Sequence, residues 1–333
     1  CTTATTTTTT ISTTTTVNGN TAISFTAGSG TISTGILGGG TPLTGLTYTA
    51  DAVTLSSNIT TAGSFEVTGA ATLGANITID TSSGNGSVTF GSTVDGNNNL
   101  TISSGSGAVA IQGKLGATNG LANIDINKTS GSGSIEIFDI GDSDTIGAVG
   151  TVDIGNSSTT SITLDGEVYR TDGATEFDAT ATGASIKLTG TSPTFTTTAG
   201  NLLKFTTADV ELSGTDGASP DVGLTTFTAP GGATFAGDII GKDGMTGVES
   251  LTIETGAGNL NIGGSIGGSG KAIGTLTINS SGAGTIEIAG IGTSSAVGVS
   301  GNTTIGNSST GSIELDGAEY NTTGSQTYEA TGG

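Results

Sequence analysis

Histidine and tryptophan are absent from the 333 residues, and cysteine and methionine occur once each, as Cys1 and Met245. Without histidine, Ser-His-Asp and Cys-His catalytic arrangements and His-ligated metal sites are excluded. A single cysteine cannot close an intrachain disulfide, so packing alone must hold the fold. Positive charge is scarce too: seven Lys and Arg stand against 28 Asp and Glu, a net charge of −21. Lys114, Lys128, Arg170, Lys187, Lys204, Lys242 and Lys271 are scattered along the chain. Nucleic acids and anionic membrane surfaces need clustered cations, so neither is expected as a partner. No run approaches the ~20 apolar residues of a membrane-spanning helix. The charged fraction is 11%, far below the roughly 25% usual in globular domains.

What fills the chain instead is glycine, with 60 residues, and threonine and serine, which together make up close to a third. Such compositions often stay disordered for want of apolar surface to bury. Two features oppose that reading. Proline occurs only four times, and Ile, Val, Leu and Phe fall in short alternating runs. Examples are SVTF (87–90), NLTIS (99–103), NIDIN (123–127), SIEIF (134–138), SITL (161–164), SLTIE (250–254) and TIEIA (285–289). β-Branched residues on a period of two make strands, and the intervening Gly, Ser, Asn and Asp make turns. No segment carries a helical apolar stripe, so an all-β chain with essentially no α-helix is expected.

A long-range repeat sets the architecture. Leu100-Thr101-Ile102 returns as Leu251-Thr252-Ile253, and Ile135-Glu136-Ile137 as Ile286-Glu287-Ile288. Ile154-Gly155-Asn156-Ser157-Ser158-Thr159 returns unchanged at 305–310, and Tyr169 matches Tyr320. Every pair is offset by 151 residues. A weaker early copy starts at Val53-Thr54-Leu55. A β-sandwich of this length would need separate domains and linkers, whereas a parallel β-solenoid accepts duplication by simple extension. Rungs of about 20 residues, each adding ~4.8 Å, predict roughly 15 turns. Inward Ile, Val and Leu should stack, outward Thr and Ser should form ladders, and Gly, Asn and Asp should take the corners. The solenoid is expected over 22–333. Residues 1–21, a threonine-rich tract, read as an anchor, a stalk or a strand lent to a neighbour.

The cadence VTFGSTVDGNNNLTISSGSGAVAIQGKLGATNGLANIDIN, with SITLDGEVYRTDGATEF and SIELDGAEYNTTGSQTYEATG, resembles the strand repeats of large bacterial surface exoproteins. These are the filamentous-haemagglutinin-like and autotransporter-adhesin-like proteins. The resemblance covers most of 50–333. It implies a right-handed parallel β-helix, an extracellular or cell-surface location, and a role in adhesion or a fibrous coat. Cys1 and the threonine tract lie outside that pattern.

Candidate chemistry is sparse. A cysteine at a processed N-terminus is where bacterial lipoproteins carry lipid, so Cys1 is a candidate attachment point, the only membrane link expected. Asp139, Asp142 and Asp144 form the densest acidic turn and are the candidate Ca²⁺ ligands. Their counterparts in AGIGTSS (289–295) carry no acid. Asn-X-Ser/Thr sequons, among them those at Asn127, Asn156 and Asn307, allow glycosylation. The glycine run at 35–40 lacks the lysine of a phosphate loop and reads as a turn. Polysaccharide lyases also use β-helices, but they need clustered basic groups, and Arg170 is the only arginine. No enzymatic activity is expected. The chain breaks off inside a repeat unit, which suggests completion by another subunit. The expected function is therefore a structural subunit that stacks head to tail with copies of itself into an extracellular filament or sheath. The alternative is an adhesin that binds glycans or host surfaces.

Overall fold

The structure, a computed structural model, describes residues 10–12, 16–198, 200–212, 223–242, 249–268 and 271–331. Among these there is no α-helix; strands make up 54% of the chain and stack in parallel as a β-solenoid of about 12 turns. The chain divides into two compact units, 1–159 and 160–333.

In the first unit three strand stacks wind around one core. Leu46, Phe65, Val88, Val109 and Ile135 lie in register, as do Tyr48, Val67, Phe90, Ile111 and Ile137. A second stack aligns Val53, Ala71, Val94, Leu115 and Ile140. The third aligns Ile77, Leu100, Ile124 and Val152, with Ile79, Ile102, Ile126 and Ile154 beside them. All of these side chains are buried. The alternation read from the sequence appears directly: in Ile77–Asp80 the two isoleucines are buried and Thr78 and Asp80 half-buried. A one-residue slip would turn the whole isoleucine column outward, so the register is fixed by burial.

The second unit repeats this grammar. One stack aligns Ile162, Ile186, Val210 and Ile239. Another runs Tyr169, Phe195, Phe227, Ile253, Ile278 and Ile305. The third runs Phe177, Phe205, Phe235, Ile262, Ile288 and Leu315. Aromatics concentrate in three successive turns. Phe205 and Phe235 stack with centroids 5.2 Å apart and planes 4° from parallel. Tyr169 and Phe195 stack at 4.4 Å. Rings of the two columns meet edge to face, as Phe195 and Phe205 do at 5.6 Å. Offset and edge-to-face pairs of this kind each add about 0.5–1.5 kcal/mol beyond burial.

Most turns are longer than the expected ~20-residue rung. Phe65 lies 19 residues after Leu46, but Phe235 lies 30 after Phe205. The excess sits in corners, such as 116–123 between the strands Val109–Leu115 and Ile124–Ile126. Corner length does not alter register, so it escaped the strand spacing, and the chain makes about 12 turns rather than 15.

The 151-residue repeat has a structural meaning in each unit. In the first, Leu100 is registered against Ile124 and Val109 against Ile135; in the second, Leu251 against Leu276 and Leu260 against Ile286. The unchanged hexapeptide is a corner. Gly155 and Gly306 take φ of 84° and 79°, a region that favours glycine. The next residue folds into an Asx turn: Ser158 N donates to Asn156 Oδ1 at 2.7 Å, and Ser309 N to Asn307 Oδ1 at 2.8 Å. The buried Thr159 and Thr310 hydroxyls accept the Asn156 and Asn307 amides at 2.9 and 3.0 Å. Tyr169 and Tyr320 also have a shared task. Their hydroxyls accept the amides of Gly166 and Gly317 at 2.9 and 3.0 Å, tying down the corner three residues earlier.

A corner ladder runs down the first unit as well. Asn76 Oδ1 accepts the Asn99 amide at 3.0 Å, Asn99 Oδ1 accepts Asn123 Nδ2 at 2.8 Å, and Asn123 Oδ1 accepts the Thr151 amide at 2.8 Å. Each precedes a strand of the third stack. Strand pairing also begins earlier than the expected boundary at residue 22. Thr10–Ser12 pairs with Thr31–Ser33 of its own chain, and Val17 bridges to Leu37. Part of the threonine-rich tract is therefore a solenoid strand.

Candidate functional site

Cys1 lies outside the described residues. The acidic turn is built at the end of the strand Ile135–Ile140, where Gly141 (φ 85°) turns the chain away. Asp139 is buried and registered against Lys114 of the preceding turn. The Lys114 ammonium lies 2.8 Å from Asp142 Oδ2 and 3.8 Å from Asp139 Oδ2. It is within ion-pair range of both carboxylates. The hydrogen bond from Lys114 and that from the Ser143 amide hold the Asp142 carboxyl below its ordinary pKa. The Asp142 carboxylate in turn raises that of Lys114. Asp144 is exposed. Among the described residues no group of three or more His, Cys, Asp or Glu is placed to hold a metal ion.

Lys114 was not singled out in the sequence, yet the repeat carried its signal. Residue 265, 151 positions on, is Ser265, and it is registered against Gly290, the counterpart of Asp139. Asp142 becomes Thr293. Lysine and both of its carboxylate neighbours disappear together, which is the behaviour of an internal ion pair.

The sequons at Asn127 and Asn156 place their amides in structural bonds. Asn127 Nδ2 donates to the Ser104 hydroxyl at 2.9 Å in a buried setting, and Asn156 Nδ2 donates to the carbonyls of Asn127 and Gly131. Arg170 stands on the Val168–Thr171 strand, registered against Thr196.

Clefts are shallow. In the second unit one of about 320 Å³ is lined by Thr228, Pro230, Glu254, Asn279 and Asn307 among others. In the first, one of about 400 Å³ lies among Asn97, Gly120, Asn123 and Val149. Two other surfaces are more distinctive. Thr194, Thr226, Thr252, Thr277, Thr304 and Thr327 form an unbroken row of outward threonines in register over six turns. The other is the last described turn, made of Ser312–Leu315, Tyr320 and Gln326–Glu329. Its inward positions are open: Leu315 is 42% and Tyr328 38% exposed. Their counterparts 151 residues earlier, Leu164 and Phe177, are each 0% exposed.

The fold thus places the chain in the class of parallel β-solenoids. Comparison with models of protein families, with curated proteins and with solved structures finds no match.

Proposed function

We propose that this protein is a structural subunit of an extracellular or cell-surface filament or sheath, in which copies add end to end by continuing one another's strand stacks. The observation that carries this reading is the register kept from turn to turn, as in the inward column Tyr169, Phe195, Phe227, Ile253, Ile278 and Ile305, which an added turn extends without new geometry. An exposed strand edge over an open apolar column is a template for further parallel strands. A head-to-tail contact of this sort does not close on itself and so propagates as a fibre. The resemblance to bacterial surface exoproteins and the absence of histidine chemistry point the same way.

Negative-stain microscopy of the purified chain over a range of concentrations tests the reading. Fibres that lengthen with concentration are expected; a particle of constant length, monomeric in sedimentation at every concentration, would refute it. A second reading, a surface adhesin for glycans, rests on the row of six threonine hydroxyls at a spacing of ~4.8 Å. Binding to a glycan array that is lost when Thr252, Thr277 and Thr304 are replaced by valine would favour it.

A further inference from the structure

We infer that the second unit binds a neutral saccharide chain in the cleft lined by Thr228, Pro230, Glu254, Asn279, Ser281 and Asn307. The Glu254 carboxylate and the Asn279 carboxamide are its principal contacts. The inference rests on the glycan reading, the second of the two above, and is independent of end-to-end assembly.

The two copies of the repeat build this corner differently. In the first unit the pairing of Leu100 with Ile124 ends at Ile102 with Ile126. Asn127, the next residue, takes φ of 54° and turns inward, where it is 2% exposed. Both ends of its carboxamide are bonded to Ser104: Oδ1 accepts the amide at 2.8 Å and Nδ2 donates to the hydroxyl at 2.9 Å. From the following turn, Asn156 Nδ2 closes over the corner by donating to the carbonyls of Asn127 and Gly131. In the second unit the pairing of Leu251 with Leu276 runs on through Glu254 with Asn279 and Thr255 with Ser280. Asn279, which follows Ile278 as Asn127 follows Ile126, is thereby held in the strand, half-buried and outward between buried neighbours. Asn307 keeps the Asx turn of Asn156, with Oδ1 accepting the Ser309 amide at 2.8 Å. Its Nδ2 has no corner to close and makes no hydrogen bond among the described residues.

The corner left open is the cleft of about 320 Å³, within the ~300–1,000 Å³ range of small-ligand sites. Thr228, Glu254 and Asn279 are in register on three successive turns, and Asn307 lies on the next. At ~4.8 Å per turn the lining extends ~14 Å along the stack. Among the described residues, the side chains of Thr228, Glu254, Asn279 and Ser281 make no hydrogen bond or ion pair within the chain. Their donors and acceptors therefore face only solvent, whereas the equivalent Asn127 is consumed by the fold.

The lining selects the class of ligand. A carboxylate only accepts, a carboxamide donates and accepts, and hydroxyls do either. Their close spacing suits a ligand with donors and acceptors on neighbouring atoms, as in the ring hydroxyls of a sugar. Pro230 adds an apolar ring for the C–H face of that sugar. The lining holds no Lys or Arg, so a sulfate, phosphate or uronate would meet Glu254 and a net charge of −21 without a counter-charge. Glu254 is also its one carboxylate, whereas Ca²⁺ takes 6–8 oxygen ligands with several carboxylates among them. The length of the cleft favours a chain over a single ring. Thr252 and Thr277, two residues before Glu254 and Asn279 on the same strands, carry its rim into the threonine row.

Calorimetric titration of the full chain with cellohexaose, maltohexaose and chitohexaose tests the assignment, with an oligogalacturonate of the same length as the anionic control. At least one neutral chain should bind. Glu254→Gln and Asn279→Ala should each weaken it about tenfold or more, the loss of one strong hydrogen bond, with β-type circular dichroism unchanged because both side chains face outward. Binding that survives both variants but is lost when Thr252, Thr277 and Thr304 become valine would overturn the cleft and leave the glycan reading standing. Tighter binding of the oligogalacturonate than of every neutral chain would overturn the class of ligand. Binding abolished by EDTA would assign Glu254 to a cation and overturn the direct contact. If none of the saccharides binds, the inference goes together with the glycan reading on which it rests.

Discussion

Thr303 gives the sharpest energetic test of the stacking argument. Its hydroxyl is buried and has no hydrogen-bond partner, and the residue is 1% exposed. It sits in an inward column, registered against Leu276 below and Gln326 above. The position 151 residues earlier is Val152, likewise inward and fully buried, registered against Ile124. Thr and Val have nearly the same shape, so exchanging them changes polarity with little change in packing. A buried hydroxyl left unsatisfied costs about 1–3 kcal/mol. Thr303→Val should therefore stabilise its turn by about 1–2 kcal/mol, and Val152→Thr should destabilise its own by a similar amount. Unfolding of a repeat stack need not be all-or-none, so the suitable readout is hydrogen exchange at the amides of Thr303–Gly306 and Leu276–Ser280. About 1.4 kcal/mol corresponds to tenfold in an opening constant, so protection should rise roughly tenfold in the first variant and fall roughly tenfold in the second. Lower protection in Thr303→Val would refute the placement of that hydroxyl in an apolar column.

Three further outcomes follow from the same packing. Gly317→Ala should disrupt the last corner outright, because a Cβ there would lie 1.6 Å from the Ala289 carbonyl oxygen. Gly183→Ala, with open space around it at φ 76°, should cost only about 1–2 kcal/mol of backbone strain, and urea midpoints of the two variants compare them. Phe205→Ala removes a ring in contact with four others and should cost about 3–5 kcal/mol in the same assay. Burial, first among the causes, raises the carboxyl pKa values of Asp125, Asp178 and Asp209. Groups raised in the folded state favour folding below the ordinary carboxylate value of ~3.9 and lose that contribution as pH climbs through the raised values. Asp142, lowered by Lys114, acts oppositely but only as pH falls below the ordinary range. The urea midpoint should therefore be higher near pH 4 than near pH 6, and a midpoint that rises with pH across this window would contradict the assignment.

The elements that the sequence made legible are those with local periodicity. Ile77, Ile79, Leu100 and Ile102 announce inward positions by alternation alone, and the 151-residue offset announces that two stretches share a fold. Contacts formed between turns were harder to read, because their partners are separated by a variable corner. Lys114 and Asp142 are 28 residues apart and Asn99 and Asn123 are 24 apart; with corner lengths unknown, no fixed spacing marks either pair. The same uncertainty produced the overestimate of the turn count. The acidic turn was legible as a cluster, but the cation neutralising it belonged to another rung. Tyr169 and Tyr320 were visible as a matched pair, although only the corner geometry shows why tyrosine is needed: phenylalanine would stack equally well and leave the Gly166 and Gly317 amides without their acceptor.

The two copies separate what the fold requires from what one location happens to contain. Inward residues, left-handed corner glycines, Asx turns and the corner tyrosine recur at the same offset. The charged set of Lys114, Asp139 and Asp142 does not recur, and its loss leaves the register of Ser265 with Gly290 and of Ile266 with Ile291 intact. What has been kept in duplicate is thus the capacity of one turn to receive another.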